Sequence, residues 1–266
     1  MWKKRKVEHK PAHGHVKHHT AHPQVPLERG KHINTESELV HIILKWIVQA
    51  RATFLIGLSL IVVYFISLSF SPELRKSLIF TRESLLSLNF VPMVSSWFLH
   101  ADLVHLSGNI LFLFIFGRIA ERKYGFFRFL LIYFTSAIIS DIISGLIFGQ
   151  GGIGASGAIA GVVAAAVIVN PFYLTYLFFG LPIPVLFIGW VALFSDITGI
   201  ISPIRGDNVG HIAHLAGFFG ISLIIYLTGK QDIQIKRGFA INIATFIVLF
   251  ILYFLLPDNP FRGVFY

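Results

Sequence analysis

The sequence predicts an all-α protein that crosses a membrane several times as a polytopic helix bundle, and three observations support that prediction. Hydrophobic residues make up 55% of the 266 residues and charged residues only 13%, with a mean hydropathy of +0.73. A soluble domain usually has about 25% charged residues, so this chain has too little polar surface for a soluble enzyme. Seven apolar segments of roughly membrane-spanning length follow one another along the chain. Cys is absent, which excludes a disulfide framework, thiolate metal sites and a Cys nucleophile.

The apolar segments divide the chain into three parts. A basic, His-rich tail with a short amphipathic lead-in is predicted for residues 1–51, a six-helix core for 52–228, and a seventh, C-terminal helix with a short tail for 229–266. The connection 71–103 has apolar residues at mixed three- and four-residue spacing, which fits an amphipathic interfacial element and a plain surface loop equally well. The seven predicted helical segments are 52–70, 104–119, 126–148, 156–170, 183–201, 210–227 and 239–256.

The net charge of +9 lies mostly in the tail, where ten of the 22 Lys and Arg residues and eight of the 12 His residues are found. With few apolar residues before Val40, residues 1 to about 37 are expected to be disordered. Weak attraction to anionic lipid is favoured over metal capture by the His cluster. Trp2 is the only aromatic residue before Trp46, which argues against nucleic-acid binding. No cleavable signal peptide is expected, because the first long apolar run begins after Ala52.

The distribution of Lys and Arg predicts the orientation in the cell membrane. With the N-terminus inside, the cytoplasmic segments hold 17 Lys and Arg residues and the outer segments five, as the positive-inside rule favours. Core helices two, four and six then all begin on the outer side. Residues at their starts should therefore lie at similar depth.

Polar residues occur at these three helix starts. A polar side chain is energetically costly within a membrane, so its presence there indicates a function. Outside the tail, the four remaining His residues form two pairs, His100 with His105 at the second helix and His211 with His214 at the sixth, while Ser156 opens the fourth. Topology and spacing alone thus bring three groups together near the outer face. Such convergence is what a site requires.

Each of these residues has a chemistry that suits a hydrolytic site. Ser156 stands where a Gly-rich loop enters a helix, so that free N–H groups and the helix dipole could stabilise an oxyanion. A Ser hydroxyl needs a base within hydrogen-bond reach to act as a nucleophile, and His211 and His214 are the candidates. Asn109 follows His105 by one turn on the same helix face, where the pair could donate hydrogen bonds to developing negative charge.

Other interpretations of the same residues remain open at this point. Ser156 could be a helix cap or a packing residue beside Gly157 and Gly161, whose GxxxG spacing favours close helix contact. The four core His residues could bind a metal or haem. Asp141 and Asp196 are acids near the outer ends of the third and fifth helices, and either could orient a His, but their spacing selects neither.

Three short motifs together resemble the rhomboid intramembrane serine proteases. They are "HADLVHLSGN" at the second helix, "GASGA" at the fourth and "AHLAG" at the sixth, in the order found in that family. A lone GxSG would be a weak signal, because soluble hydrolases share it. The resemblance covers the core, about residues 52–228, and implies peptide-bond hydrolysis by a Ser–His dyad with Ser156 as nucleophile and His214 as general base.

The resemblance also implies an oxyanion hole and supporting residues. The backbone N–H of the nucleophile and the side chains of His105 and Asn109 would form the hole, with Gly154 in the same loop. Gly157 and His211 would be supporting neighbours. No metal and no cofactor are expected. The expected partners are the lipid bilayer and single-pass transmembrane substrates, and the oligomeric state is left open.

Further roles follow from the resemblance alone. No third acid is expected in the site, which makes Asp141 and Asp196 structural. The "RIAERKYG" segment resembles an inner-loop motif in which Glu121 is structural. The connection 71–103 would be a half-inserted outer loop, and the segment "SPIRGDNV" would be a cap beside a Phe- and Trp-rich fifth helix through which substrate enters.

The sequence departs from the family pattern in three places. A frequent Trp-Arg pair is replaced by Val91-Pro92, an aromatic that stacks on the catalytic His is replaced by Ala160, and a GxxxG becomes Ala216-x-x-x-Gly220. The first two concern anchoring of the outer loop and positioning of the His. Competing classes are a pseudoprotease that binds transmembrane helices and a transporter or metal or haem carrier. The intact Ser and His favour an active protease.

Overall fold

The computed structural model describes residues 48–178, 180–202 and 209–255. Within these ranges the chain is mostly helical, which confirms the predicted all-α class, although one short β-hairpin was not expected. The antiparallel strands β1 (Leu174–Phe178) and β2 (Leu181–Pro184) form that hairpin. The helices are α1 (Arg51–Ser67), α2 (Pro72–Ser77), α3 (Arg82–Leu86), α4 (Phe90–Ser96), α5 (Leu103–Tyr124), α6 (Phe126–Ile142), α7 (Ser156–Val169), α8 (Val185–Ile201), α9 (His211–Thr228) and α10 (Ile233–Leu255).

Three of the described helices are long and apolar enough to cross a membrane. They are α5, α9 and α6 together with the π-helical turn Ile143–Ile147 that extends it. Helices α1, α7 and α8 are apolar but shorter. The chain is therefore a multi-pass membrane protein with a helical bundle fold.

Helices occupy the predicted apolar segments, with small shifts that have local causes. Helix α8 begins at Val185 rather than near 183 because Leu181–Pro184 pairs as β2. Helix α10 begins at Ile233, well before the predicted 239, because the Asp232 carboxylate accepts a hydrogen bond from the backbone N–H of Gln234 at 2.8 Å. Residue 256 and most of the predicted tail, residues 1–47, lie outside the described residues.

The connection between α1 and α5 is a chain of three short helices rather than one amphipathic element or a loop. The side chains of Ser71, Thr81 and Asn89 each accept a hydrogen bond from the first turn of α2, α3 and α4, respectively, which explains why the helices start there. Leu86 and Leu88 are exposed on this connection. Phe80 is fully buried and anchors it.

Helix α7 lies at the centre of the bundle, and all of its residues from Gly157 to its end are buried except Ala160. The absence of side chains at Gly157 and Gly161 allows α6 to approach closely. The Ser136 hydroxyl of α6 donates to the Gly157 carbonyl at 2.7 Å and accepts from the Gly161 N–H at 3.2 Å. Gly217 of α9 packs directly against the Gly157 carbonyl. The glycine pair therefore does serve close helix packing.

Helix α10 docks on the far end of α7, where four helix carbonyls have no partner within their own helix. Gln234 donates to the Val169 carbonyl at 2.6 Å, and Asn242 donates to the Val167 carbonyl at 3.0 Å. Lys123 of α5 adds an ion pair to Asp232 at 2.6 Å. The C-terminal helix thus supplies hydrogen bonds that the end of α7 would otherwise lack.

Glu121 of α5 has a structural role at the start of α1. Its buried carboxylate accepts hydrogen bonds from the N–H groups of Ala52 and Thr53 at 2.8 and 2.9 Å, and from the Thr53 hydroxyl at 2.8 Å. A carboxylate at a helix N-terminus satisfies free N–H groups and interacts favourably with the helix dipole. Glu121 therefore joins α1 to the rest of the bundle.

Candidate active site

One cavity of about 990 Å³ opens between α5, α7, α8, α9 and the connection that precedes α5. All seven residues that the sequence predicts for the site line it. They are His105, Asn109, Gly154, Ser156, Gly157, His211 and His214. Residues from three separate stretches of sequence, up to 109 positions apart, therefore meet around a single space.

Ser156 is the first residue of α7 and is half-buried at the cavity. No described side chain caps this helix start, so the N–H groups of its first turn can interact with an acceptor that enters the cavity. Within the described residues, no hydrogen bond joins the Ser156 hydroxyl to His214. Catalytic hydrogen bonds are often long in a free enzyme and tighten when substrate binds.

The loop before Ser156 is held in place by backbone hydrogen bonds to the preceding connection. The Gly154 N–H donates to the Ser96 carbonyl at 2.8 Å, and the Gly152 N–H donates to the carbonyl of the fully buried Phe80 at 3.1 Å. Gly154 has a φ of +113°, and a Cβ there would lie 2.6 Å from the His105 ring. Only glycine fits this position without strain.

His105 and Asn109 lie on the first turns of α5, directly across from Gly154. Asp102 caps this helix by accepting from the His105 N–H at 2.8 Å. The Asn109 side-chain amide donates one hydrogen to the His105 carbonyl at 3.1 Å. Because an amide NH₂ has two hydrogens, Asn109 retains a second donor on the cavity side of the helix.

His100 lies behind His105 and is fully buried. The two rings are 5.2 Å apart in an edge-to-face arrangement. Burial, reinforced by the neighbouring His105, lowers the pKa of His100 to about 4, so its ring is neutral at physiological pH. His100 therefore supports His105 as a neutral packing group.

Other residues provide the anchoring that Val91-Pro92 lacks. The Arg75 guanidinium donates to the carbonyls of His100 and Ala101 at 2.6 and 3.1 Å. The Ser95 hydroxyl donates to the Leu78 carbonyl at 2.7 Å. The connection is thus fastened beside the cavity without a Trp-Arg pair.

The spacing alone could not select Asp196 as the partner of a His, and the family resemblance made it structural. Its Oδ1 atom lies 2.8 Å from Nδ1 of His211 and 2.8 Å from Nδ1 of His214. The only sequence signal was an acid within an otherwise apolar helix. Asp141, the other acid considered, instead accepts from the Trp97 indole N–H at 2.7 Å and joins α6 to the connection before α5.

The same three side chains are the described residues that could hold a metal. One ligand atom each from Asp196, His211 and His214 lies within 4.8 Å of the others. Two imidazoles and a carboxylate are suitable ligands for zinc. The 2.8 Å separations are also those of ordinary charge-assisted hydrogen bonds, which account for the arrangement without an ion.

A bundle of apolar helices with a cavity around an uncapped helix start defines a multi-pass membrane protein with a site sunk among its helices. The chain belongs to the rhomboid family, since the sequence model of that family, described as "Rhomboid domain", matches residues 87–231. Membership supports an intramembrane protease function at the level of the family.

Similar proteins come from plants and bacteria. "Rhomboid-like protein 11, chloroplastic" of Arabidopsis thaliana is 30% identical over 54% of this chain and 56% of its own length. "Rhomboid protease GlpG" of Haemophilus influenzae is 26% identical over 54% of this chain and 71% of its own length. "RHOMBOID-like protein 12, mitochondrial" of Arabidopsis thaliana is 28% identical over 47% of this chain. The chain thus spans little more than half of the first plant relative.

Proposed function

We propose that this protein is an intramembrane serine endopeptidase that cleaves transmembrane or juxtamembrane segments of single-pass membrane proteins. Ser156 is the nucleophile and His214 the general base in this proposal. The Ser156 N–H, with the side chains of His105 and Asn109, binds the oxyanion, and Gly154, Gly157 and His211 support the site.

The observation that carries the proposal is that all of these residues line one cavity around an uncapped helix start. Free N–H groups at a helix N-terminus stabilise negative charge. Donors placed in advance where charge develops contribute the largest single part of many enzymes' catalysis. A serine at this point therefore has both a base and a preformed anion site within the same space.

The proposed reaction follows from the placement of these groups. The Ser156 oxygen attacks the scissile carbonyl carbon while its proton moves to Nε2 of His214. The resulting oxyanion accepts hydrogen bonds from the Ser156 N–H, Asn109 and His105. His214 then gives its proton to the leaving amine. In the second half of the reaction His214 takes a proton from water as the water oxygen attacks the acyl carbonyl, and returns that proton to the Ser156 oxygen as it leaves.

The substrate class and orientation are part of the proposal. A helical substrate hides its carbonyls in backbone hydrogen bonds, so a segment must unwind before it is attacked. The excess of Lys and Arg on the segments assigned to the cytoplasm supports an orientation with the N-terminus inside and the cavity near the outer face of the cell membrane. Water would then reach Ser156 from that side.

The test is to reconstitute the purified protein in liposomes with a model single-pass transmembrane substrate. Ser156→Ala and His214→Ala should abolish cleavage and fluorophosphonate labelling. Ser222→Ala is a matched control, because Ser222 also lies in a helix and, among the described residues, donates to the Phe218 carbonyl alone. Cleavage that survives Ser156→Ala would overturn the proposal.

A metal carrier is the second candidate, because Asp196, His211 and His214 could hold an ion. This alternative expects stoichiometric metal in the purified protein and no labelling of Ser156. The protease proposal expects cleavage that a strong chelator leaves unchanged. Metal analysis and a chelator titration of cleavage therefore separate the two.

A further inference from the structure

Asp196 joins helices α8 and α9 through two hydrogen bonds at a single oxygen atom. Its Oδ1 lies 2.8 Å from Nδ1 of His214 and 2.8 Å from Nδ1 of His211. The side chains of all three residues are largely shielded from solvent, with exposed fractions of 13%, 18% and 13% for Asp196, His214 and His211. A charge-assisted hydrogen bond is stronger in such surroundings than in water.

These hydrogen bonds determine which nitrogen of His214 carries the proton. A carboxylate oxygen accepts hydrogen bonds, so this contact is satisfied when Nδ1 of His214 carries the proton and donates to Asp196. Nε2 then carries the lone pair and is the atom able to take a proton from a hydroxyl group. The negative charge of Asp196 also stabilises the imidazolium that forms when His214 takes that proton.

His211 keeps the carboxylate in position for this interaction. Its ring lies directly on Gly199 of α8, where a Cβ would overlap the imidazole. The ring therefore fills the space between α8 and α9 and presents Nδ1 to Asp196. With an imidazole bound on each side of one oxygen, the Asp196 side chain has little freedom to rotate.

Within the part of the chain that the structure describes, few other groups hold His214 in its orientation. Ala160, which also lines the cavity, has only a methyl group and no ring to stack on the imidazole. The neighbouring ring of His211 meets His214 edge-on at a centroid distance of 6.5 Å. The hydrogen bond to Asp196 is therefore the directional contact that fixes the ring of His214.

We infer that Asp196 is a positioning residue that orients His214 and holds it in the tautomer able to act as the base of the Ser–His dyad. This inference rests on the proposed protease function. It gives Asp196 a functional role in place of the structural one expected from the sequence. His211 acts through Asp196 rather than on the substrate.

The test compares Asp196→Asn, Asp196→Glu and Asp141→Asn in the liposome assay, with Ser156→Ala as the blank. An Asn can donate its amide hydrogen to Nδ1 of His214, which moves the ring proton to Nε2 and removes the base. Asp196→Asn should lower kcat and the rate of fluorophosphonate labelling by about 10²-fold or more, with KM unchanged. Asp196→Glu should recover part of that loss. Asp141→Asn should change kcat less than threefold.

The possible results distinguish this inference from the proposed function. If Ser156→Ala abolishes cleavage but Asp196→Asn keeps kcat within threefold of wild type, the inference is wrong and the protease function stands. If Asp196→Asn lowers kcat only in proportion to a fall in the thermal unfolding midpoint, and Asp196→Glu recovers nothing, the role is structural and the inference is wrong. If a chelator abolishes the difference between wild type and Asp196→Asn, the residues hold a metal, which also overturns it. Activity of Ser156→Ala would overturn the protease function itself.

Discussion

Replacing Gly154 with Ala should damage the site through one added methyl group. The residue has a φ of +113°, which costs a non-glycine residue about 1–3 kcal/mol. Its new Cβ would lie 2.6 Å from Cε1 of His105, whereas ordinary contact begins at 3.4 Å. The His105 ring, or the loop itself, must therefore retreat by about 0.8 Å. Misplacement of a catalytic group by about 1 Å can cost 10²-fold in rate.

Gly154→Ala is accordingly expected to lower kcat by about 10²-fold in the liposome assay, together with a lower unfolding midpoint. Gly152→Ala is the matched control in the same loop. A Cβ at Gly152 meets nothing within 4 Å, and its N–H would still donate to the Phe80 carbonyl. The reasoning fails if Gly154→Ala keeps more than half of the wild-type activity, or if Gly152→Ala is equally damaging.

Three further predictions concern stability, measured as thermal unfolding in detergent. Glu121→Ala should destabilise the protein by about 3 kcal/mol or more, because three buried donors lose their charged acceptor, whereas Ala at the exposed Glu83 should have little effect. The pKa of His100 is about 4 when folded, against about 6.5 when unfolded. As the pH falls, the unfolded chain therefore binds the proton before the folded protein does. Lowering the pH from 7 to 5 should reduce the free energy of unfolding by about 2 kcal/mol, and His100→Gln should abolish this loss. Asn242→Leu should cost about 1–3 kcal/mol by leaving a carbonyl of α7 unpaired, and Ile243→Leu, at an exposed neighbour, should be neutral.

The sequence alone placed the helices and brought most of the candidate site together. Apolar length specifies a membrane helix locally, and charge bias predicts that α5, α7 and α9 run in one direction. Residues at the starts of those helices, including His105, Ser156 and His214, could therefore be expected at a similar depth in the membrane. Their presence around one cavity agrees with that reasoning.

The contacts that hold the site in shape could not be derived in the same way. Whether Asp196 meets His211 and His214 depends on how α8 is rotated against α9, and no local pattern specifies that rotation. The bridge between Phe80 and Gly152 likewise joins two segments that are 72 positions apart. Such pairings are decided by packing of the whole bundle rather than by the residues near each partner.

The length of α7 has a consequence for the depth at which the protein works. Its 14 residues rise by about 21 Å, whereas the hydrocarbon core of a membrane is about 30 Å thick. In the proposed orientation, with its last turn held by α10, the helix and Ser156 begin about 9 Å inside the outer boundary of the hydrocarbon core. In that orientation the cavity occupies the remaining part of the span. Each added turn of α7 would raise the serine by about 5.4 Å and move the point of reaction towards the water.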